Sequence, residues 1–212
     1  FKPVRKTPID KWNFLNNAIW EPVADWRRAY AYPKGNESLE ETLRREVLSV
    51  RKNVGLLDSS TLGKILVKGP DAGRFLDLIY TNMMSSLKSG KCRYGLMCNE
   101  AGFVFDDGVV ARLNEQTFLC HTTSGGADRV YAWLEEWLQT EWHHLKVFIV
   151  NLTEQYSQIA VAGPKARDLL QTFKSIDLAP PKLPFMNFIE TKIDDIWVRV
   201  YRISFSGELS YE

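Results

Sequence analysis

Cysteine is scarce in this sequence, and so is surplus charge. The three cysteines, Cys92, Cys98 and Cys120, show no paired metal-ligand spacing. An odd number in a chain without a signal-peptide pattern fits reduced thiols in a cytoplasmic protein better than a disulfide framework. With 27 basic and 26 acidic residues the net charge is +1, too weak a long-range field to draw in nucleic acid or an anionic membrane. No apolar run approaches the roughly 18 residues that a membrane helix needs, and the opening FKPVRKTP is too polar for the apolar stretch of a secretory signal. The expectation is a cytoplasmic protein with neither a nucleic-acid nor a membrane partner.

Histidine is as rare as cysteine. His121 stands alone and His143 and His144 are adjacent, so none belongs to the i,i+4 pair of a helical metal site. Surface or satisfied core roles are expected for them, and no metal. No serine lies in a Gly-x-Ser-x-Gly context and no Cys–His nucleophile arrangement is recognisable, which argues against covalent hydrolysis. Nor does any strand run into the glycine-rich helix start that holds a dinucleotide.

Apolar and aromatic residues are plentiful: 45% of the chain is hydrophobic, with seven Trp and eleven Phe, enough to build a core. Residues 1–37 combine four prolines with Trp12, Trp20 and Trp26. This predicts a linking segment that wraps on a body through aromatic anchors without regular structure throughout, because a ring of ~150–250 Å² gains nothing in a solvated tail. From Ser38 the pattern changes. SLEE resembles a capping box, and Leu39, Leu43, Val47 and Val50 follow at helical spacing towards an end near Asn53-Val54-Gly55.

The run KILVKGPDAGRFLDLIY from Lys64 predicts a short strand, a Gly69-Pro70 turn and a helix with Phe75, Leu76 and Ile79 on one face. IAVAGPKARDLL from Ile159 repeats the arrangement around Gly163-Pro164. Proline pre-sets the first helical turn, where its missing N–H is no loss. The echo predicts an α+β protein of two similar strand–helix halves, about 61–126 and 145–212, within a domain covering 38–212. Between the copies, Tyr94–Met97 and Phe103–Leu113 read as strands joined by an NEAG turn, and Phe118–Thr123 as a further strand. Val130, Trp133, Leu134, Trp137 and Leu138 form the core stripe of a helix. Lys146–Val150 and Trp197–Ile203 complete the strands, and APPKLPF from Ala179 reads as an irregular crossing.

Two adjacent acids, Asp106 and Asp107, interrupt the apolar FVFDDGVV. Alternation along a strand sends one to each face, so one carboxylate can point into a cavity while the other caps a turn or bonds to backbone. The same pair suits a solvated hairpin end equally well. Gly108 permits a bulge or the close approach of a ligand. TTSGG from Thr122 gathers hydroxyls and glycines at a strand-to-helix transition, where it either holds a polar ligand or simply caps the helix.

Six blocks stand out in order: VRKNVGLLDSS from Val50, KGPDA from Lys68, YTN from Tyr80, RYGLMCNEAGFVFDDG from Arg93, AGPKA from Ala162 and RISFSGELSYE from Arg202. In that order they resemble the successive blocks of the folate-binding aminomethyltransferase family, which includes the glycine-cleavage T-protein. TLGK at Thr61, KCRYGLM at Lys91 and WLEEWLQTEW at Trp133 are most similar to its sarcosine oxidase alpha-subunit branch. FKPVRKTP resembles that branch's linker to a dinucleotide-binding region. The resemblance implies a tetrahydrofolate cavity between α+β subdomains, followed by a smaller carboxy-terminal barrel that is missing here. RISFSGELSYE reads as the middle of a functional element, so a fragment is expected.

The resemblance also implies roles. Asp107 would be the catalytic acid near the reactive folate nitrogens, Glu212 the acid that grips the pterin ring, and Tyr94, Thr122, Thr123 and Ser124 the cavity wall. Ser204-Phe205 departs from the family's Gly-Tyr, so Phe205 can stack but lacks a phenolic hydrogen bond. The family's usual Asn after the central strand is displaced by Thr123. The implied function is capture of the one-carbon unit of oxidised sarcosine as 5,10-methylenetetrahydrofolate. Flavin and NAD would be held outside this chain, in a complex with other sarcosine oxidase subunits. The alternatives are a truncated glycine-cleavage aminomethyltransferase and a non-catalytic folate-binding or subunit-docking domain. Alone, the chain is expected to bind tetrahydrofolate weakly and to be inactive.

Overall fold

A computed structural model describes residues 3–212; Phe1 and Lys2 of the expected linking segment lie outside the described residues. The chain forms two units, one made of the chain up to Thr61 together with Ser157–Glu212, the other of Leu62–Tyr156.

The first unit begins with β1 (Arg5–Lys6), α1 (Asp10–Leu15), β2 (Ile19–Val23) and β3 (Trp26–Ala31). β3 pairs parallel with β1 and antiparallel with β2. This stretch is more regular than its prolines suggest, because Pro22 lies in β2 at the sheet edge, where a missing N–H costs no ladder bond. Trp26 is buried, and the Arg27 guanidinium lies 4.3 Å from the Trp20 ring while its Nε donates to Asp10 at 2.8 Å. α2 (Leu39–Lys52) starts at the expected capping box. The Glu41 N–H donates to the Ser38 hydroxyl at 3.3 Å, and the Glu41 carboxylate accepts the Ser38 N–H at 2.8 Å. Arg51 and Lys52 then complement the carboxy-terminal end of the helix dipole. β4 (Gly55–Asp58) follows.

The second unit contains β5 (Gly63–Lys68), α3 (Ala72–Ile79), β6 (Cys92–Cys98), β7 (Val104–Asn114), β8 (Thr117–Thr122), α4 (Ala127–Thr140) and β9 (Phe148–Asn151). Its strands form one antiparallel sheet in the order β6-β7-β8-β5-β9. One face presents Ile65, Val67, Met97, Val110, Phe118 and Cys120, and α3 and α4 cover it with Phe75, Leu76, Val130 and Leu134. Trp133 and Trp137 flank this core, as their spacing predicts, with Trp137 stacked on Trp142 at 5.2 Å. The NEAG turn is where the sequence places it: the Asn99 side chain accepts the N–H groups of Ala101 and Phe103, and Gly102 has φ +81°.

The first unit resumes with β10 (Ile159–Ala162), α5 (Ala166–Leu170), β11 (Phe188–Ile193), β12 (Ile196–Tyr201) and β13 (Ser210–Tyr211). β10 is the centre of an antiparallel sheet ordered β13-β10-β4, and β11 and β12 form a separate hairpin. Val161, Ala166, Leu178, Leu183, Val200 and Tyr211 make its core. Sequence patterning misses β11, although the signal is present: Ile193 pairs with Ile196 across Asp194-Asp195, and Asp194 adopts φ +52°, as a tight hairpin connection requires. The α+β class with two strand–helix subdomains is as expected, and their bounds are those of the two units, Leu62–Tyr156 and the chain up to Thr61 with Ser157–Glu212. Among the described residues no sheet closes into a barrel, and no helix is long and apolar enough to cross a membrane.

The two Gly-Pro turns share one geometry. Gly69 and Gly163 have φ +143° and +128°, and each carbonyl accepts an N–H three residues on, from Ala72 and Ala166. A Cβ on Gly69 would lie 2.1 Å from the Lys146 carbonyl oxygen, and one on Gly163 would lie 2.4 Å from that of Asn53. Gly69→Ala should therefore destabilise the protein by roughly 1–3 kcal/mol or more, seen as a lower urea midpoint at unchanged slope.

Candidate functional site

β6 and β7 pair with Tyr94 opposite Val109 and Leu96 opposite Asp107. Met97 faces Asp106 and belongs to the helix-covered core, so Asp106 points to that side and Asp107 to the other. Asp106 is accordingly only 3% exposed. Its carboxylate accepts three bonds: from the Asp107 N–H at 2.7 Å, the Thr123 N–H at 3.1 Å and the Thr123 hydroxyl at 3.1 Å. Thr123 Oγ1 in turn accepts the Gly126 N–H at 3.1 Å. A Cβ on Gly126 would fall 1.6 Å from Asp106 Oδ2, so a bare backbone is needed there. The buried carboxylate thus sits at the start of α4, where free N–H groups and the helix dipole favour negative charge.

Asp107, half-buried, takes a hydrogen bond from the Tyr94 hydroxyl at 2.8 Å. The two are diagonal neighbours across the antiparallel pair, close enough for long side chains to meet. The Asn82 side chain anchors this place by donating to the Tyr94 carbonyl at 2.9 Å. The hydrogen bond to Asp107, and then partial burial, raise the Tyr94 phenol above the usual tyrosine range. Beneath the sheet, burial pushes the Cys120 thiol up to about 12.

The other residues marked by the sequence are distributed as follows. Thr123 reaches Asp106, not Asp107. Thr122 is buried and donates its hydroxyl to the Thr123 carbonyl at 3.0 Å, and Ser124, two residues on, is buried as well. His121 is a core residue with Nδ1 3.0 Å from the Val109 carbonyl oxygen. Phe205 and Glu212 belong to the first unit. Phe205 is fully exposed. Glu212 continues β13, its backbone paired both ways with Tyr201, and its carboxylate accepts from Gln158 Nε2 at 2.6 Å. Arg202 steadies the same strand by donating to the Ser210 carbonyl at 3.0 Å, with its guanidinium 5.3 Å from the Tyr211 ring. Sequence reasoning did not pick out Gln158 or Asn82. Only the YTN block offered a signal, and only for Asn82. Among the described residues no three His, Cys, Asp or Glu side chains gather as a metal site.

Chemically, the second unit presents an oriented carboxylate with a phenol donor, able to stabilise adjacent positive charge or take up a proton. The first unit presents a second carboxylate held by an amide, able to accept from a ligand's N–H groups.

Residues 9–212 match the GCVT N-terminal domain family. Over 99% of its length the chain is 47% identical to the sarcosine oxidase alpha subunit of Corynebacterium sp. strain P-1, and over 100% it is 42% identical to that of Rhizobium meliloti strain 1021. It covers 22% of each, about a fifth of the length of these curated relatives. Among solved structures, the glycine cleavage system aminomethyltransferase T of Bartonella henselae has a TM-score of 0.82 and 26% identity, over 98% of this chain and 52% of that one. The likeness that the ordered blocks suggest is thereby established.

Two substitutions separate the roles of the adjacent acids. Asp107→Asn should bring the Tyr94 phenol back towards its ordinary range, measured by following the labelled Tyr94 ring carbon through a pH titration, with little change in stability. Asp106→Ala should cost about 2–4 kcal/mol, because buried N–H donors lose their acceptor; thermal unfolding reads this directly.

Proposed function

This chain belongs to the GCVT N-terminal domain family, and on that premise we propose that it is the tetrahydrofolate-binding part of an enzyme that captures one-carbon units from an oxidised methylated amine, as in sarcosine oxidation. The observation that carries this reading is the Asp107 carboxylate, half-buried and oriented by Tyr94 on the sheet face away from α3 and α4.

The residues present suit such a ligand. Glu212 offers carboxylate acceptors to the amino and amide N–H edge of a pterin, at ~1.5–3 kcal/mol for a hydrogen bond to a charged group. Phe205 is a fully exposed ring available for stacking. When bound, tetrahydrofolate supplies the N5 and N10 amines that take up the one-carbon unit. Asp107 stabilises positive charge developing beside it and carries a proton between neighbouring basic atoms. Tyr94 fixes which way that carboxylate faces, while Thr122, Thr123 and Ser124 support it from the helix-covered side through the bond of Thr123 to Asp106. On this reading, amine oxidation with flavin and NAD, the contacts with other subunits and the cytoplasmic setting are properties of the longer protein.

A second reading, aminomethyl transfer in glycine cleavage, is favoured by the structural likeness to aminomethyltransferase T. Phe205 in place of the family's tyrosine weighs against it. The full-length protein distinguishes them: supplied with sarcosine and tetrahydrofolate, it should form 5,10-methylenetetrahydrofolate, and Asp107→Ala should bind tetrahydrofolate unchanged while forming product about 10²–10⁴-fold more slowly. Release of free formaldehyde at the same rate with and without tetrahydrofolate would overturn the proposal.

A further inference from the structure

Gln158 immediately precedes β10 and belongs to none of the sequence blocks. Its Nε2 lies 2.6 Å from Glu212 Oε2, the short distance of a charge-assisted bond. Its backbone is clamped from both sides. The Gln158 N–H donates to the Ser60 hydroxyl at 3.0 Å, and its carbonyl accepts the Ser59 N–H at 2.9 Å and the Ser59 and Ser60 hydroxyls at 3.2 and 3.3 Å. Ser60 is itself 1% exposed, and its N–H donates to Asp58 Oδ1 at 3.1 Å. The clamp leaves the Gln158 side chain little freedom of origin.

The amide is held at a cost. Its Oε1 is buried with no hydrogen-bond partner. Turning the amide over would set Oε1 against the Glu212 carboxylate, acceptor against acceptor. The negative charge of Glu212 therefore fixes the sense of the amide. An unpaired buried acceptor calls for an explanation, and the carboxylate it serves supplies one.

We propose that Gln158 is a positioning residue for Glu212: by donating to Oε2 it helps turn the carboxylate towards a planar edge carrying two N–H donors, the edge of an aminopyrimidinone ring. This rests on the reading of Glu212 as the acid that binds the pterin. Gln158 acts through orientation and touches no reacting atom.

The test is anaerobic titration of the full-length protein with tetrahydrofolate and with its 2-desamino analogue, which lacks one of the two donors. Gln158→Met keeps the side-chain length and removes the donor. It should weaken tetrahydrofolate about tenfold, the change expected for losing control of one hydrogen bond to a charged group, and leave the analogue's affinity almost unchanged. In Gln158→Glu the donor returns only when the introduced carboxyl is protonated, so affinity should recover as the pH falls towards 5, a profile that a merely structural role would not produce. Glu212→Gln should weaken tetrahydrofolate in every case. If Gln158→Met weakens both ligands equally, or neither while Glu212→Gln is weakened, the positioning role is overturned and the functional reading survives. If Glu212→Gln binds as tightly as the unaltered protein, the reading of Glu212 fails and takes the proposal with it. Should the Met variant fail to fold, the pH profile of the Glu variant decides alone, and a flat profile overturns the role.

Discussion

Asp106 is the constraint around which the second unit is arranged. An ionised carboxylate taken out of water without partners costs several kcal/mol, and here the compensation is local and complete enough to keep it inside: two backbone N–H groups, one hydroxyl and the start of α4. That demand fixes the TTSGG loop against β7 and excludes any side chain at Gly126. Because strand residues alternate, holding Asp106 inside also holds Asp107 outside. The position of the candidate acid follows from the satisfaction of its buried neighbour.

The same device recurs at the second carboxylate. Asp107 is oriented by the Tyr94 phenol and Glu212 by the Gln158 amide. A neutral donor turns a carboxylate and lowers its freedom while leaving its charge in place, whereas an arginine would neutralise much of it. On the proposed reading, the neutral kind of partner suits Asp107, whose charge is then left to stabilise a developing cation. Tyr94 registers this arrangement in its own raised phenol pKa.

The Gly-Pro turns show how a repeated local solution serves two different surroundings. In both, a glycine in the left-handed region lets the chain pass close beneath a neighbouring carbonyl, and proline launches the helix. The neighbours differ, Lys146 in one unit and Asn53 in the other, and so do the helices, eight residues in α3 and five in α5. Each unit then closes its own core, with Phe75 and Leu76 in one and Val161 and Leu178 in the other.

Much was legible in the sequence because it depends on near neighbours. The capping box at Ser38, the NEAG turn, the Gly-Pro helix starts, the α4 stripe and the alternation of Asp106 and Asp107 all arise from spacing within a few residues, where periodicity and turn chemistry act. The opposite faces of the two acids followed from alternation; which acid lay inside did not. That was decided by the register that sets Met97 opposite Asp106 and by the loop that brings Thr123 to it. The pairing of β4 with β10 and the meeting of Gln158 with Glu212 were likewise beyond local patterning. They join residues distant in sequence, and only the folding of the whole first unit makes them neighbours, since no local signal encodes a partner more than 50 residues away.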